Sequence, residues 1–482
     1  MPFEHSFARE LAGLYQPAMP APVPAPRLLF LNQELAQQLA FPLPDGEGAK
    51  AARFTGQTLP EGAQPIAQAY AGHQFGGFSP SLGDGRALLL GEWRAPDGGL
   101  HDIAFKGSGR TAYSRSGDGL AAVGPMLREV LIGEALHAMG IPSTRALAVA
   151  ATGEEVYRDR TLPGAVLTRV AASHLRVGSF QYLAARGRFD ELRQLLRFTL
   201  QRHYPALQDH PEPELALLRA VSEAQARLMA QWMNVGFIHG VMNTDNMALS
   251  GQSIDFGPCA FLEAYDPATH FSSIDRHGRY AYGNQPGIAQ WNLARLAETL
   301  LPLLADPEGP QGAMDAAVAQ VTAVLDEFPT HFDAALRQGQ AAKLGLAQPD
   351  AALADAWLAL LQQGGADFTR AWRELAAARE GNETPLRERL AGTPGLDDWL
   401  SRWRAACSAS PAQLRAANPA VIPRNHRVEE ALAAASEGDD LRPFNELLAA
   451  LRRPFDEDPA LARYWEPAPA AQTACYRTFC GT

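Results

Sequence analysis

From residue 64 to about 170, apolar residues come in short runs broken by Gly, Pro and Asp. ALLLGEW (87–93) and DIAFKG (102–107) are runs of this kind, and TRALAVAAT and GAVLTRVA follow them. Runs of this length between turn formers predict strands. One segment departs from the pattern. In GPMLREVLIGEALHAMG (124–140) the positions Met126, Leu127, Val130, Leu131 and Met139 keep a helical period, which Gly140 closes. Beyond residue 170 the period turns helical. Val221, Ala224, Leu228 and Trp232 form one stripe running into GFIHGVMNTDNM, and Ala/Leu-rich amphipathic segments fill the chain after residue 290. PAMPAPVPAP (17–26) is Pro-rich and reads as an extended arm. The pattern predicts an α+β chain in four stretches. These are an N-terminal arm and helix (1–63), a β-rich lobe with one helix (64–172), a helical lobe (173–300) and a helical region with a Cys-containing tail (301–482). A ligand is expected between the lobes.

Composition narrows the function. A net charge of −11 over 482 residues argues against a general nucleic-acid binder. No apolar run is long enough to span a membrane, and MPFEHSFARELAGLY lacks the pattern of a signal peptide, so the cytoplasm is expected. Abundant Ala, Arg and Pro suggest a GC-rich bacterial source. Cys259, Cys407, Cys475 and Cys480 are too scattered for a disulfide framework and form no CxxC zinc pair. Cys475 and Cys480 read as ordinary tail thiols in preference to a redox device. Nothing marks an oligomer, and a monomer is the default.

The segment HGVMNTDNMALSGQSIDFG (239–257) carries the most chemistry. Protein kinases use H-R-D-x-x-x-x-N followed by D-F-G, with one Asp as base and the Asn and second Asp on metal ions. His239 and Asn246 keep that spacing, and Asp255, Phe256 and Gly257 supply the second motif. The base position holds Val241, which cannot accept a proton. Asp245 is the nearby carboxylate that could replace it. Upstream, SLGDGRALLLG offers Gly83, Gly85 and Arg86 for phosphates, which need close backbone N–H donors and a cation. Lys106 lies on the following apolar strand, as the kinase lysine does, and Glu129 on the one helix of this lobe can hold it. A second Gly-rich loop, GSGRTAYSRSGDG (107–119), and the arginines Arg169 and Arg176 have no place in an ordinary kinase and suggest phosphates held in an unusual position. The expected fold is therefore protein-kinase-like and bilobal, with a helical C-terminal extension.

YAGHQFGGFSPSLGDGRALLLGE, FKGSGRTAYSRSGDGLAAVGPMLRE, HGVMNTDNM, IDFGPCAFL, DRHGRYAYGNQPGIAQWNLARLA and NPAVIPRNHRVEEAL run in order from about residue 70 to 432. In these the chain closely resembles the selenoprotein O (YdiU) family of pseudokinases. The resemblance implies a protein adenylyltransferase that binds ATP in a flipped orientation and transfers AMP to Ser, Thr or Tyr hydroxyls of proteins; manganese-dependent UMP transfer from UTP is attributed to some members. Carried over by residue, it implies that Lys106 contacts phosphate and pairs with Glu129. Gly83, Gly85, Arg86, Asp118, Gly119, Arg169 and Arg176 surround the nucleotide. Asn246 and Asp255 ligate Mg²⁺ or Mn²⁺, and Asp245 accepts the proton. Some members are thought to pair a tail cysteine with one after the DFG; DPATHFSSID has none here, which counts against that bridge and leaves a Cys475–Cys480 bridge open.

Two rival readings remain, a conventional phosphotransferase and a non-catalytic nucleotide-binding scaffold. Val241 and the extra arginines count against the first, and the complete Asn246–Asp255 pair against the second. His270, His277 and the HGRYAYGNQP stretch are expected to be structural.

Overall fold

The computed structural model describes residues 3–478, and its N-terminal region is built on a seven-stranded antiparallel sheet. The strands in chain order are β1 (Tyr15–Pro17), β2 (Arg27–Leu31), β3 (Ile66–Gln68), β4 (Gly72–Gln74), β5 (Gly77–Ser79), β6 (Ala87–Arg94), β7 (Leu100–Lys106), β8 (Arg145–Tyr157) and β9 (Thr161–Ala171). The sheet runs β1-β3-β6-β7-β9-β8-β2, while β4 and β5 form a separate hairpin. The four apolar runs read from sequence are thus β6 to β9, without the hairpin.

Both edges of the sheet come from the first 31 residues, an outcome the apolar pattern did not predict. Three and five residues are too short to show a period of two. Because β1 and β2 lie at opposite edges, the Pro-rich arm between them crosses the sheet, pinned where Ala21 N donates to Ser108 O (2.8 Å) and Ala25 N to Thr152 O (3.0 Å).

Successive residues of β7 face opposite sides. Ile103 and Phe105 share a core with Phe41, Phe54 and Trp93, beside the N-terminal helices Gln33–Gln38 and Glu47–Phe54. Ala104 and Lys106 face the other way, toward the helix Val123–Ala138. That helix ends at Gly140, whose φ of +76° suits a residue without a side chain. Its outer face does not meet solvent. The helices Asn425–Glu437 and Arg442–Leu451 cover it, and Met126, Leu127 and Val130 join Leu432, Phe444 and Leu447 in one core.

The remainder is helical. Val177–Ala184, Phe189–His203, Pro213–Val235 and Gln285–Leu304 surround a second core, where Val221, Leu228 and Trp232 of the predicted stripe are buried and Ala224 is half-buried. A further core gathers Trp357, Trp372, Trp399 and Trp403. Among the described residues no helix is long and apolar enough to cross a membrane.

Candidate active site

The helix Pro213–Val235 stops at Gly236, which takes the left-handed conformation and turns the chain into the short strand Phe237–Ile238. This strand pairs with Ala260–Phe261, and the loop between them holds residues 239–259. His239 closes the loop. Its ring stacks on Trp232 (5.4 Å between centroids) and its Nε2 bonds the Ile254 carbonyl at 2.8 Å. Burial lowers its pKa, so the imidazole is a neutral strut tying the loop start to the residue before Asp255.

Strand register brings the cations together. β7 and β9 pair Ala104 with Arg169, so Lys106, two residues on, shares its face. Lys106 Nζ donates to Glu129 Oε1 at 2.5 Å and to Asp255 Oδ1 at 2.6 Å. Arg169 Nη2 reaches the same two carboxylates, at 3.1 Å to Glu129 Oε2 and 2.6 Å to Asp255 Oδ1. Arg176 Nη1 adds a contact to Asp255 Oδ2 at 3.1 Å and bonds the Asp245 carbonyl at 2.7 Å. The expected Lys106–Glu129 pair is therefore part of a five-residue charge network. Burial alone would raise the pKa of Asp255, but Arg169, Lys106 and Arg176 reverse this and hold it well below the usual carboxylate range. Its backbone sits at φ +64°, a conformation uncommon for an aspartate, held in place by those three cations.

Asp245 is differently placed. It is buried, its Oδ1 has no partner, and Oδ2 accepts only a long bond from Gln74 Nε2 (3.3 Å). Burial pushes its pKa up to about 6, against the opposing pull of Arg176. Val241 borders the same space, and its carbonyl accepts a 3.0 Å bond from Asn246 Nδ2. That bond turns the Asn246 amide and leaves its Oδ1 uncommitted to it.

The β4–β5 hairpin clamps this loop at three consecutive residues. Phe75 N donates to Asn243 Oδ1 (3.1 Å), His73 N to Thr244 Oγ1 (2.7 Å) and Gln74 to Asp245. Gly72 opens the hairpin because a Cβ there would stand 2.5 Å from Asp245 Oδ1. None of these hairpin residues was singled out from sequence. The signal available was the run of small and polar residues in YAGHQFGG, which has no local spacing rule.

The two Gly-rich loops lie against each other. Thr111 Oγ1 donates to the Asp84 carbonyl (2.6 Å), and Ser114 Oγ donates to that of Gly85. Gly83, at φ +73°, lies under the Tyr113 ring, where a side chain would clash. Asp118 accepts both guanidinium nitrogens of Arg158, at 2.7 and 3.1 Å, and these bonds lower its pKa. It is thus an anchor for a further arginine at the cavity mouth, which sequence reasoning missed. Tyr70 was missed as well; its ring lies 4.6 Å below the Arg176 guanidinium.

Gly83, Gly85, Arg86, Lys106, Asp118, Gly119, Glu129, Arg169, Arg176, Asp245, Asn246 and Asp255 all border one cavity of about 1350 Å³. Glu429 and Ser436 of the C-terminal helices close one side, where Arg128 donates to Glu429 (2.6 Å). The HGRYAYGNQP segment packs beneath the loop. Asp275 accepts the amides of Arg279 and Tyr280, both at 2.8 Å, and Tyr280 OH donates to Asn243 Oδ1 (2.7 Å). Thr478 docks beside it, its amide on Phe271 O (2.8 Å) and its hydroxyl on Pro258 O (2.7 Å). Cys480 and the Cys475 side chain, and with them the bridge left open above, lie outside the described residues and side chains. Cys259 and Cys407 are free and buried.

Among the described residues no cluster of three or more His, Cys, Asp or Glu could hold a metal ion. The Asn246 carbonyl and Asp255 carboxylate are two hard oxygen donors, which suits a cation that takes its other ligands from phosphate and water.

A family model described as Protein adenylyltransferase SelO matches residues 1–452. A relative from Cereibacter sphaeroides (strain ATCC 17025 / ATH 2.4.3), named Protein nucleotidyltransferase YdiU, is 55% identical over 100% of this chain and 99% of its own length. One of the same name from Chromobacterium violaceum is 56% identical over 97% of this chain and 99% of its own, and one from Mycobacterium sp. (strain KMS) is 54% identical over 99% and 98%.

Proposed function

Because the chain belongs to the protein adenylyltransferase SelO family and is a nucleotidyltransferase, we propose that the large cavity holds ATP and passes its AMP to a hydroxyl of a protein Ser, Thr or Tyr. The observation that carries this reading is the buried, partnerless Asp245 Oδ1 beside a pole of three buried cations, with Val241 in the place of a kinase base. The β-rich and helical regions correspond to the two lobes of a protein kinase, spanning about 64–172 and 173–300. Residues 1–63 add strands to the first lobe, and 301–482 are the helical extension.

In this reading Lys106, Arg169 and Arg176 bind the β- and γ-phosphates, and the nucleotide is flipped relative to a kinase. Buried guanidinium and ammonium groups suit phosphate far better than an adenine ring. Glu129 keeps Lys106 in position. Gly83, Gly85, Arg86, Asp118 and Gly119 line the route the nucleotide takes. Asn246 and Asp255 would hold Mg²⁺ or Mn²⁺, which when bound neutralises phosphate charge. Asp245 takes the proton of the acceptor hydroxyl, whose oxygen bonds the α-phosphorus as the bond to the bridging oxygen breaks and pyrophosphate leaves. One chain supplies every residue, so a monomer suffices, and the bacterial cytoplasm is the compartment proposed.

The test is transfer of label to protein from α-³²P-ATP or γ-³²P-ATP, with Asp245→Asn and Asp255→Ala as controls. Label from the α-position alone, lost in both variants while Asp245→Asn still binds ATP, is expected. Transfer from the γ-position alone would make the chain a kinase. ATP binding without transfer would make it a scaffold. α-³²P-UTP with manganese, run in parallel, decides whether UMP is also a cargo.

A further inference from the structure

A second groove of about 760 Å³ adjoins the nucleotide cavity and has no role in the chemistry above. Phe75 and Ile274 line both spaces, so the groove opens onto the side of the cavity where the hairpin holds Asp245. Both are large apolar side chains left in solvent, Phe75 at 37% and Ile274 at 53% exposure. Phe75 is also held at φ +51°, an unfavourable backbone for an aromatic residue, by its amide bond to Asn243 and its ring contact with Tyr280 (5.1 Å). Such strain around an exposed ring at the rim of a site is a mark of function. The groove is also basic within an acidic chain. Arg276 and Arg279 line it and neither pairs with a carboxylate among the described residues; Arg276 is exposed, the half-buried Arg279 stacks on the Trp291 ring (4.9 Å), and Asp275 turns its carboxylate inward onto backbone amides.

We propose that this groove seats the polypeptide carrying the acceptor hydroxyl, and that it selects a segment with an apolar and an acidic residue beside that hydroxyl. The proposal rests on the transferase reading for its purpose. Its own basis is the shared wall, the exposed apolar pair and two arginines with no carboxylate partner among the described residues. Apolar contact with Phe75 and Ile274 anchors the segment, and Arg276 with Arg279 meets its carboxylate, so that the hydroxyl is delivered on the Asp245 side.

Two fluorescein-labelled peptides test this, each with one tyrosine, one carrying Leu and Asp beside it and the other Leu and Lys. Binding is read by anisotropy at low salt, and transfer separately with α-³²P-ATP. The acidic peptide is expected to bind wild-type protein about fivefold or more tightly than its twin. Arg276→Glu, which alters an exposed side chain, should reverse that preference and leave the nucleotide KM unchanged; Ile274→Ser should weaken both peptides. Equal binding of the two peptides, or an acidic preference that survives Arg276→Glu, overturns the proposal. The two ideas fail separately. Selective binding without label transfer keeps the groove and removes the transferase reading, whereas equal labelling of both peptides does the reverse.

Discussion

Gly72 makes a side chain's absence matter to a reaction. Its α-carbon lies so close to Asp245 that an added methyl would stand 2.5 Å from Oδ1. Gly72→Ala therefore moves the carboxylate or the hairpin, and a carboxylate proposed to accept the substrate's proton is the part least able to tolerate a shift. Displacements of about 1 Å in a reacting group cost up to about a hundredfold in rate. We expect kcat to fall at least tenfold on this substitution while the ATP Kd, which we assign to Lys106, Arg169 and Arg176, stays within twofold; steady-state transfer and calorimetry check the two halves. At this scale legibility divides along one line. Asn246 and Asp255 could be singled out because they share one segment with short fixed spacings, and Lys106 because it lies on an apolar strand between a Gly-rich loop and the helix of Glu129; all three border the cavity. Gly72 and Gln74 owe their places to a hairpin folded against a loop some 170 residues away, with Gln74 and its partner Asp245 171 residues apart, and Tyr70 owes its place to Arg176 on a distant helix start. No local pattern encodes that.

The helix Phe328–Leu344 shows how an element can carry an internal cost. Near its end, Lys343 is buried with its ammonium over the Trp372 ring (4.6 Å) and donating to the Asn234 carbonyl (2.8 Å). Burial lowers its pKa to about 7. In the unfolded chain lysine keeps its proton to about pH 10.4. Between these values the unfolded state binds more protons, so stability rises with pH across that window, and below it the fold carries the full cost of a buried charge. Lys343→Met should remove this dependence. The difference in unfolding free energy between wild type and variant is expected to change by about 1.4 kcal/mol per pH unit from pH 7 to 10. Urea titrations at several pH values measure it, and parallel curves would refute it. Long elements such as β6 to β9 and Val123–Ala138 were legible because each repeats its period several times. β1, β2 and the hairpin were not, since strands of three to five residues hold too few repeats to separate from loop.

On the scale of the molecule, Arg424 joins parts of the chain far apart in sequence. Fully buried, its guanidinium binds Glu263 Oε2 and Asp367 Oδ2, each at 2.6 Å, and the Trp465 carbonyl at 2.8 Å. Asp367 in turn caps the helix Phe368–Arg379. Burial already pushes Glu263 up to about 7 despite its arginine. Arg424→Met would strand both carboxylates and is expected to destabilise the protein by about 3–5 kcal/mol, read as a lower urea midpoint. The C-terminal helices, legible as helices but not in their placement, reach back farther still. Arg128 meets Glu429 across 301 residues and Glu134 meets Arg452 across 318. This gives the covering of Val123–Ala138 a consequence in time. A ribosome releases the N-terminal strands first, yet the apolar stripe on their helix finds its partner only when residues 425–451 have emerged. Until then the growing chain carries an unfinished cavity and an exposed sticky face. Closing the molecule thus waits for residues 425–451, and a chain cut short before residue 425 should aggregate or be degraded instead of persisting as a partial enzyme.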